Sequence, residues 1–531
     1  MLGLEFVVLL GVAVLACGLL APRLRVGQPV LQLAAGALLG FLPALRAVQF
    51  PPEVVLLLFL PVLLYWESLN TSLREIRRSL RGVVLVSTLL VIATAAAVAA
   101  VANALGLPWG PAWVLGAAVA PTDATALAAV ERLLPQRSLT VLKAESLVND
   151  GTALVLYGVA VGVTTGEIHL SAATVTGRFL LNYFGGAAAG ALIAWLAIVL
   201  LRCLTDPLLV NSLALLTPFT AYLVAESIDA SGVLAVVVAG LAVSQAAPRL
   251  VAAATRSQGV ALWTLATYLL NGTLFVLVGL EMQSAVRGLT STALTQALFA
   301  VVAVSATLVM VRIAFLFLSA YAIRALDRRP EQRLRRVSDR SRIVSGLAGF
   351  RGAVSLAVAL SVPTVLDSGA PFPDRDTIVF VTTGVIVTTL VVQGLVLPGV
   401  VRWARLPSDT TVASERRCAE TTAVENALAD LDNLAADLGA DAEVSEQLRE
   451  EYQEHLRVLA ADPDTDADPD GADALRRHRQ TTDLRLALLT RKRDTVIRLR
   501  DQNKIDDTVL RQIQTQLDHE ETRLRRTDPI E

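Results

Sequence analysis

The residues of this chain best placed to do chemistry are the carboxylates of Glu-Ser-Leu-Val-Asn-Asp at 145–150, which lie in an apolar stretch long enough to cross a membrane. A charge at the centre of a bilayer costs at least about 2.5 kcal/mol, so it persists only where it pairs, faces water or binds something. On a helix, Glu145 and Asn149 lie one turn apart, and so do Ser146 and Asp150. A hydroxyl one turn from a carboxylate suits a small hard cation, which prefers oxygen ligands.

The apolar sequence around this segment predicts the elements that position it. The chain has 531 residues, 54% of them hydrophobic, and its long apolar runs lie in residues 1–405. Apolar segments of about 20 residues, enough to span a bilayer as a helix, recur about thirteen times. We therefore expect an all-α, polytopic membrane domain over residues 1–405. The predicted spans cover residues 2–21, 28–47, 52–69, 82–106, 111–131, 141–165, 179–204, 207–227, 230–247, 259–284, 292–323, 343–366 and 376–403.

Basic residues indicate which way the predicted spans run. The odd-numbered connections are basic and include the Arg-dense stretch 324–342. The basic residues of the even-numbered connections are only Arg46, Arg178, Arg287 and Arg375. Because basic connections stay on the cytoplasmic side, we expect a multi-pass protein of the cell membrane with its N-terminus outside and its C-terminus in the cytoplasm.

Six ionisable residues fall inside the predicted spans, at depths where a charge is costly. They are Glu67, Asp123, Glu145, Asp150, Arg312 and Arg351. One such residue can be explained by structural pairing, but six on different spans or span halves indicate a polar pathway. Glu145 and Arg312 are the natural buried pair. Asp150 has no assigned basic partner, so we expect its carboxylate to exchange a proton with water or to bind a cation.

Two predicted spans contain helix-breaking sequences. Ala-Pro-Thr-Asp at 120–123 places Pro121, which has no N–H to donate, inside the fifth span. Gly-Leu-Ala-Gly-Phe-Arg-Gly at 346–352 places three glycines inside the twelfth span. One break lies in the fifth of the first six spans and the other in the fifth of the last six. Two inverted repeats on either side of span seven would produce this arrangement. Interrupted helices at matching positions indicate the binding site of a secondary transporter, with Asp123 at a positive half-helix N-terminus and Arg351 near carbonyl ends.

With these residues in place, the sequence resembles the monovalent cation/proton antiporters, specifically the bacterial sodium/proton exchangers of the electroneutral Asn-Asp branch. Matching segments occur in order across most of residues 1–405. They are Leu-Pro-Val-Leu-Leu-Tyr-Trp-Glu-Ser at 60–68, Ala-Pro-Thr-Asp at 120–123, Glu-Ser-Leu-Val-Asn-Asp-Gly at 145–151, Ser-Gly-Val-Leu-Ala-Val-Val-Val-Ala-Gly at 231–240 and Phe-Arg-Gly-Ala-Val-Ser-Leu at 350–356. One departure is Ala124, where the family commonly has Pro.

The resemblance implies a role for each candidate residue. Asp150 would carry the cation and the proton in turn, beside Asn149, which replaces a second aspartate in this branch. The remaining assignments are Thr122, Ser146 and Glu67 as further oxygen ligands of Na⁺, Glu145 and Arg312 as a structural pair, and Asp123 and Arg351 at the helix crossover.

The resemblance also implies a transporter and not an enzyme. It would exchange Na⁺ or Li⁺ for H⁺, one for one, across the plasma membrane in pH homeostasis, with no cofactor besides the transported ions. It would form a homodimer in the lipid bilayer, in which a core bundle moves against a dimerisation bundle, and it would bind no nucleic acid. K⁺/H⁺ antiport is an alternative, because the ligand types suit both cations.

Two other function classes have less support. An intramembrane aspartyl protease would use Asp123 and Asp150 as a dyad, but Asn149, the arginines and the broken helices disfavour it. A cation channel would need a carbonyl-lined filter loop or a ring of acidic residues, and neither pattern is present in the sequence. The four histidines and three cysteines lack metal-ligand spacing.

Residues 406–531 predict a cytoplasmic domain of soluble helices. Residues 461–471 form an acidic segment with Pro and Gly, which we interpret as a solvated linker. Apolar residues at helical spacing in the last two helices favour their packing together or dimerisation. The sequence does not identify a partner for this tail. The candidate helices lie near 412–438, 443–461, 472–500 and 506–527.

Overall fold

The structure, a computed structural model, describes residues 2–24, 26–42, 55–71, 73–123, 136–166, 172–288, 291–326, 338–366, 368–406, 411–460, 469–502, 504 and 507–526. Within these ranges the chain is helical and has no β-strand, which confirms the all-α prediction. The chain divides into two compact units, Met1–Ser408 and Asp409–Glu531.

The first unit is built from apolar helices and two π-helical turns. The turns are Val55–Phe59, which precedes α3, and Thr389–Gln393, which joins α14 to α15. The helices are α1 (Leu2–Leu24), α2 (Gln28–Leu39), α3 (Leu60–Leu69), α4 (Leu73–Ala104), α5 (Trp109–Val119), α6 (Gln136–Thr165), α7 (Ala172–Cys203), α8 (Pro207–Glu226), α9 (Gly232–Leu250), α10 (Ala253–Gly288), α11 (Ser291–Leu326), α12 (Asp339–Leu347), α13 (Ala353–Leu360), α14 (Arg375–Thr388) and α15 (Gly394–Ala404).

Eight helical segments among the described residues are long and apolar enough to cross a membrane. They lie in α1, α4, α7, α8, α9, α10, α11 and the continuous segment Arg375–Ala404. The other predicted spans correspond to helices that are short, polar or interrupted. Helices α2, α3 and α5 are apolar but short, α6 carries the buried carboxylates, and the segment of α12 and α13 is interrupted. The predicted span ends at 43–47, 52–54 and 124–131 lie outside the described residues, so the number of crossings stays a prediction.

The two largest hydrophobic clusters of the membrane unit each join several helices. One lies among α4, α5, α6, α11 and α14, where Val114, Val304 and Ile378 are fully buried. The other lies among α3, α7, α8 and α9. In the second core a Cβ on Gly190 would lie 2.2 Å from the carbonyl oxygen of Ala235, so only glycine permits this approach of α7 to α9. Helix α6, with its carboxylates, belongs to the first core.

Both helix-breaking sequences interrupt a helix in the structure. Helix α5 ends at Val119, and residues 120–123 continue in an irregular conformation, because Pro121 cannot continue the helical hydrogen bonding. Helix α12 ends at Leu347 and α13 begins only at Ala353. The backbone groups in these two gaps are released from helical pairing and must find other partners. Ala124 lies outside the described residues.

The second unit consists of α16 (Thr411–Leu438), α17 (Ala442–Ala460), α18 (Pro469–Asp501) and α19 (Asp507–Arg526). Helices α18 and α19 pack together through Leu489, Leu517 and Leu524. Residues 469–471 of the predicted linker 461–471 are helical instead, because α18 already begins at Pro469 and proline is favoured in a first helical turn. Residues 461–468 lie outside the described residues.

Candidate ion-binding site

Helix α6 presents four of the predicted site residues from one element. Because the helix is continuous from Gln136 to Thr165, the pairs Glu145/Asn149 and Ser146/Asp150 each lie one turn apart. All four side chains are buried, and Asn149 and Asp150 are only 1% and 4% exposed. The helix therefore holds two carboxylates, an amide and a hydroxyl together inside the protein.

Thr122 joins this cluster from the first helix break. The hydroxyl of Ser146 donates to the backbone carbonyl of Thr122 at 2.8 Å. The side-chain amide of Asn149 donates to the hydroxyl of Thr122 at 3.0 Å. Thr122 lies in the non-helical segment 120–123, which places its carbonyl and its hydroxyl against α6. Thr122, Ser146 and Asn149 thus form one bonded group next to Asp150.

The two helix breaks meet each other. The backbone N–H of Asp123 donates to the carbonyl oxygen of Phe350 at 2.8 Å. The guanidinium of Arg351 donates through Nη1 to the carbonyl oxygen of Pro121 at 2.9 Å. Arg351 is buried, and its charge lies against a carbonyl released by the first break. This arrangement satisfies backbone groups at membrane depth, where water cannot do so.

Gly352 is required where the two breaks approach most closely. A Cβ at this position would lie 1.6 Å from the Oδ2 of Asp123. It would also lie 2.8 Å from the Cβ of Asp123, a contact that rotation of the Asp123 side chain does not relieve. Asp123 and Arg351, predicted at the crossover, are therefore both placed in it, together with Pro121, Phe350 and Gly352.

Glu145 and Arg312 form a buried ion pair. The Nη1 of Arg312 lies 2.7 Å from the Oε1 of Glu145, and the two side chains are 3% and 11% exposed. Arg312 also donates through Nε to the carbonyl oxygen of Ser345 at 3.1 Å. The pair thus connects α6 to α11, and through Ser345 to α12. It leaves Asp150 as the α6 carboxylate outside this pair.

Several buried oxygen atoms accept no hydrogen bond from the described part of the chain, and three of them, Asp150 Oδ1, Asn149 Oδ1 and Glu67 Oε1, belong to predicted site residues outside the Glu145–Arg312 pair. Buried polar atoms in native proteins are almost always satisfied, so each exception calls for a functional explanation. A proton or a hard cation supplies one, because both bind such oxygens. A carboxylate surrounded by neutral hydroxyl and amide oxygens balances a single positive charge.

Glu67 reaches the site from α3, which belongs to the other hydrophobic core. It interacts electrostatically with Asp123 and with Lys143, and Asp150 in turn interacts with Glu67. Lys143 lies on α6 two residues before Glu145 and is a residue of the site that the sequence did not single out. The signal available was its place inside the predicted span 141–165, where a charge is costly.

Known proteins are similar to this chain in sequence and in fold. Residues 10–403 match the family model described as "Sodium/hydrogen exchanger, transmembrane". An "uncharacterized Na(+)/H(+) exchanger" of Mycobacterium tuberculosis is 45% identical over 98% of this chain and 96% of its own length. A "sodium, potassium, lithium and rubidium/H(+) antiporter" of Bacillus subtilis is 30% identical over 70% of this chain and 57% of its own length.

The fold is also that of a solved structure. The sodium proton antiporter MjNhaP1 from Methanocaldococcus jannaschii superimposes with a TM-score of 0.59 at 19% sequence identity, covering 76% of this chain and 99% of that one. The matched family is one of sodium/hydrogen exchangers and gives no support to the protease hypothesis built on Asp123 and Asp150. Because the family model covers most of the chain, this protein belongs to the sodium/hydrogen exchanger family.

Proposed function

We propose that this protein exchanges Na⁺ or Li⁺ for H⁺ across the plasma membrane, with Asp150 as the shared carrier of the cation and the proton. The observation that carries the proposal is the buried Oδ1 of Asp150, which accepts no hydrogen bond from the described residues. It lies next to the bonded group of Thr122, Ser146 and Asn149. The same carboxylate oxygens bind either ion, so occupancy by one excludes the other.

The surrounding residues prepare the carboxylate for this exchange. Ser146 and Thr122 point hydroxyl and carbonyl oxygens into one group, and Glu67 adds a second carboxylate from α3. The hydroxyls of Ser146 and Thr122 stay neutral during the cycle. In the proposed cycle Asp150 releases a proton, takes up a cation, and the site is exposed to the other side by movement of one bundle against the other. We propose that this occurs in a homodimer.

The proposed stoichiometry is one cation for one proton. The charge of Glu145 is balanced by Arg312 at 2.7 Å, and we propose that Arg351, which lies at the same crossover, balances Asp123. Asn149 is neutral, so Asp150 is the one carrier in this count. Glu67 is the residue that tests it, because a second carboxylate that titrated in each cycle would make transport electrogenic.

K⁺/H⁺ exchange is the second candidate function. It is favoured by the name of the Bacillus subtilis relative, which includes potassium and rubidium besides sodium and lithium. Carboxylate and hydroxyl oxygens bind all of these ions, and the size of the cavity decides among them. A comparison of Li⁺, Na⁺ and K⁺ in one proton-flux assay separates the two candidates.

Everted membrane vesicles from cells expressing the protein provide the test. A respiratory substrate acidifies the vesicles, and added Na⁺ or Li⁺ should then release protons through the wild-type protein. Asp150→Asn should abolish this release. Asp206→Asn is the matched control, since Asp206 caps α8 by accepting from the N–H of Leu208 at 2.7 Å and Asn caps helices equally well. Proton release by Asp150→Asn at the wild-type rate would overturn the proposal.

A further inference from the structure

The last apolar segment of the membrane unit changes its helical geometry where it passes the second helix break. Helix α14 ends at Thr388, and Thr389–Gln393 forms a π-helical turn before α15 begins. Turns of this kind are rare and are frequently found at functional sites. Thr389, the first residue of the turn, is 2% exposed. The turn therefore places a hydroxyl in the interior, at a residue that the site described above does not include.

The hydroxyl of Thr389 binds the peptide group that joins the two breaks. The N–H of Arg351 donates to Thr389 Oγ1 at 3.3 Å. The carbonyl of the same peptide group, that of Phe350, accepts from the N–H of Asp123 at 2.8 Å. Thr389 in turn donates to the carbonyl oxygen of Ile386 at 3.0 Å. One peptide group is thus held from both sides, by the first break and by the π-helical turn.

This peptide group lies directly behind the ion site. Asp123, which it binds, follows Thr122 in the chain, and Thr122 receives the hydrogen bonds of Ser146 and Asn149. If the peptide group turned about its axis, Asp123 would lose its acceptor, and the segment that carries Thr122 would lose one of the bonds that position it against α6. The N–H of Arg351 needs an acceptor in any case, because it is buried and outside a helix.

We propose that Thr389 is a positioning residue for the ion site, which holds the Phe350–Arg351 peptide and through it Thr122. The inference rests on the proposed function, because it assigns Thr389 to the same exchange reaction. The positioning role requires the hydroxyl of Thr389 and not the rest of its side chain. Thr389→Ser keeps the acceptor, whereas Thr389→Val keeps the shape and removes it.

Amide hydrogen exchange tests the structural step without any transport assay. In Thr389→Val, peptides that contain the N–H of Arg351 should exchange faster than in the wild-type protein, and Thr389→Ser should restore their protection. Thr383→Val is the matched control, because Thr383 is equally buried in α14 and donates to Val379 of its own helix. Equal exchange of these peptides in Thr389→Val and Thr383→Val would overturn the inference.

Transport tests the functional step. The cation concentration that gives half-maximal exchange should rise about three- to tenfold in Thr389→Val, the effect of losing one neutral hydrogen bond, with a smaller change in maximal rate. Thr389→Ser and Thr383→Val should stay within about twofold of wild type on the same scale. A wild-type half-saturation value in Thr389→Val overturns the inference while leaving the proposed function intact.

The remaining outcomes are also informative. If the wild-type protein shows no cation-driven proton movement, the proposed function fails, and the hydrogen-exchange comparison still decides whether Thr389 holds the peptide. If Thr389→Val does not accumulate, Thr389→Ala takes its place. Failure of both to fold, with Thr383→Val folded, would assign Thr389 to the stability of the fold and overturn its role at the site.

Discussion

The side-chain amide of Asn149 donates a hydrogen bond to the hydroxyl of Thr122 at 3.0 Å, and this bond fixes the non-helical segment of one span against the carboxylate-bearing helix of the next. An aspartate at position 149 could not donate it in its charged form. The amide therefore has two consequences at once. It orients Thr122 toward α6, and it leaves Asp150 as the titrating group of the pair.

Asn149→Asp should make transport sensitive to membrane potential, because it adds a second carboxylate beside Asp150. Asn149→Ala should weaken cation binding because it removes the hydrogen bond to Thr122. Its transport rate should still be insensitive to the membrane potential. The measurement is the rate of cation-driven proton flux in proteoliposomes with the potential imposed in either direction at equal pH. A wild-type rate that changes with the potential would refute one-for-one exchange.

Glu145→Gln and Arg312→Met should each destabilise the protein by about 3–5 kcal/mol, because each leaves one buried charge unpaired. The double variant should recover part of that loss, since it removes both charges. Thermal unfolding of the purified protein in detergent measures the effect. Arg416→Gln removes an exposed pair with Glu420 and should leave unfolding unchanged. Additive losses in the double variant would contradict a direct pair.

Gly352→Ala should abolish exchange, because a Cβ at this position would lie 1.6 Å from the Oδ2 of Asp123 and force the two breaks apart. Gly151→Ala is the control, because Gly151 lies next to Asp150 in α6 and a Cβ there meets no atom within 4 Å. Proton flux, compared at equal protein levels in the membrane, checks both. Normal flux in Gly352→Ala would mean that the crossover tolerates a shift.

Acid pH should slow transport without any separate sensor, because protons and cations compete for Asp150. Below the pH at which Asp150 is half protonated, the cation concentration for half-maximal exchange should rise toward tenfold for each further unit of pH. Raising the cation concentration should restore the rate. Initial rates across a matrix of pH and Na⁺ concentration test this, and a half-saturation value independent of pH would exclude competition at one carboxylate.

Much of the fold could be predicted from the sequence because apolar length and helical spacing are local properties. The pairs on α6 follow from helix periodicity, and the two breaks follow from Pro121 and the glycines near Arg351. The predicted partners Glu145 and Arg312 lie within 2.7 Å of each other because charges of opposite sign in an apolar interior have few other choices.

The backbone contacts of the site could not be predicted, because they leave no pattern in the side chains. The bond from Arg351 to Pro121 joins residues 230 positions apart, and its acceptor is a carbonyl that any residue carries. The π-helical turn at Thr389 likewise has no sequence signature. The predicted linker also extended too far, because Pro469 favours the start of a helix as readily as it favours a turn.

The most direct test of Asp150 as the shared carrier is the number of protons released when the purified protein binds Na⁺. Calorimetric titrations in two buffers of different ionisation enthalpy give this number. At a pH where Asp150 is protonated, we predict about one proton released for each Na⁺ bound by the wild-type protein, as competition for one carboxylate requires, and none from Asp150→Asn. Binding of Na⁺ without proton release, or equal release from Asp150→Asn, would contradict the account.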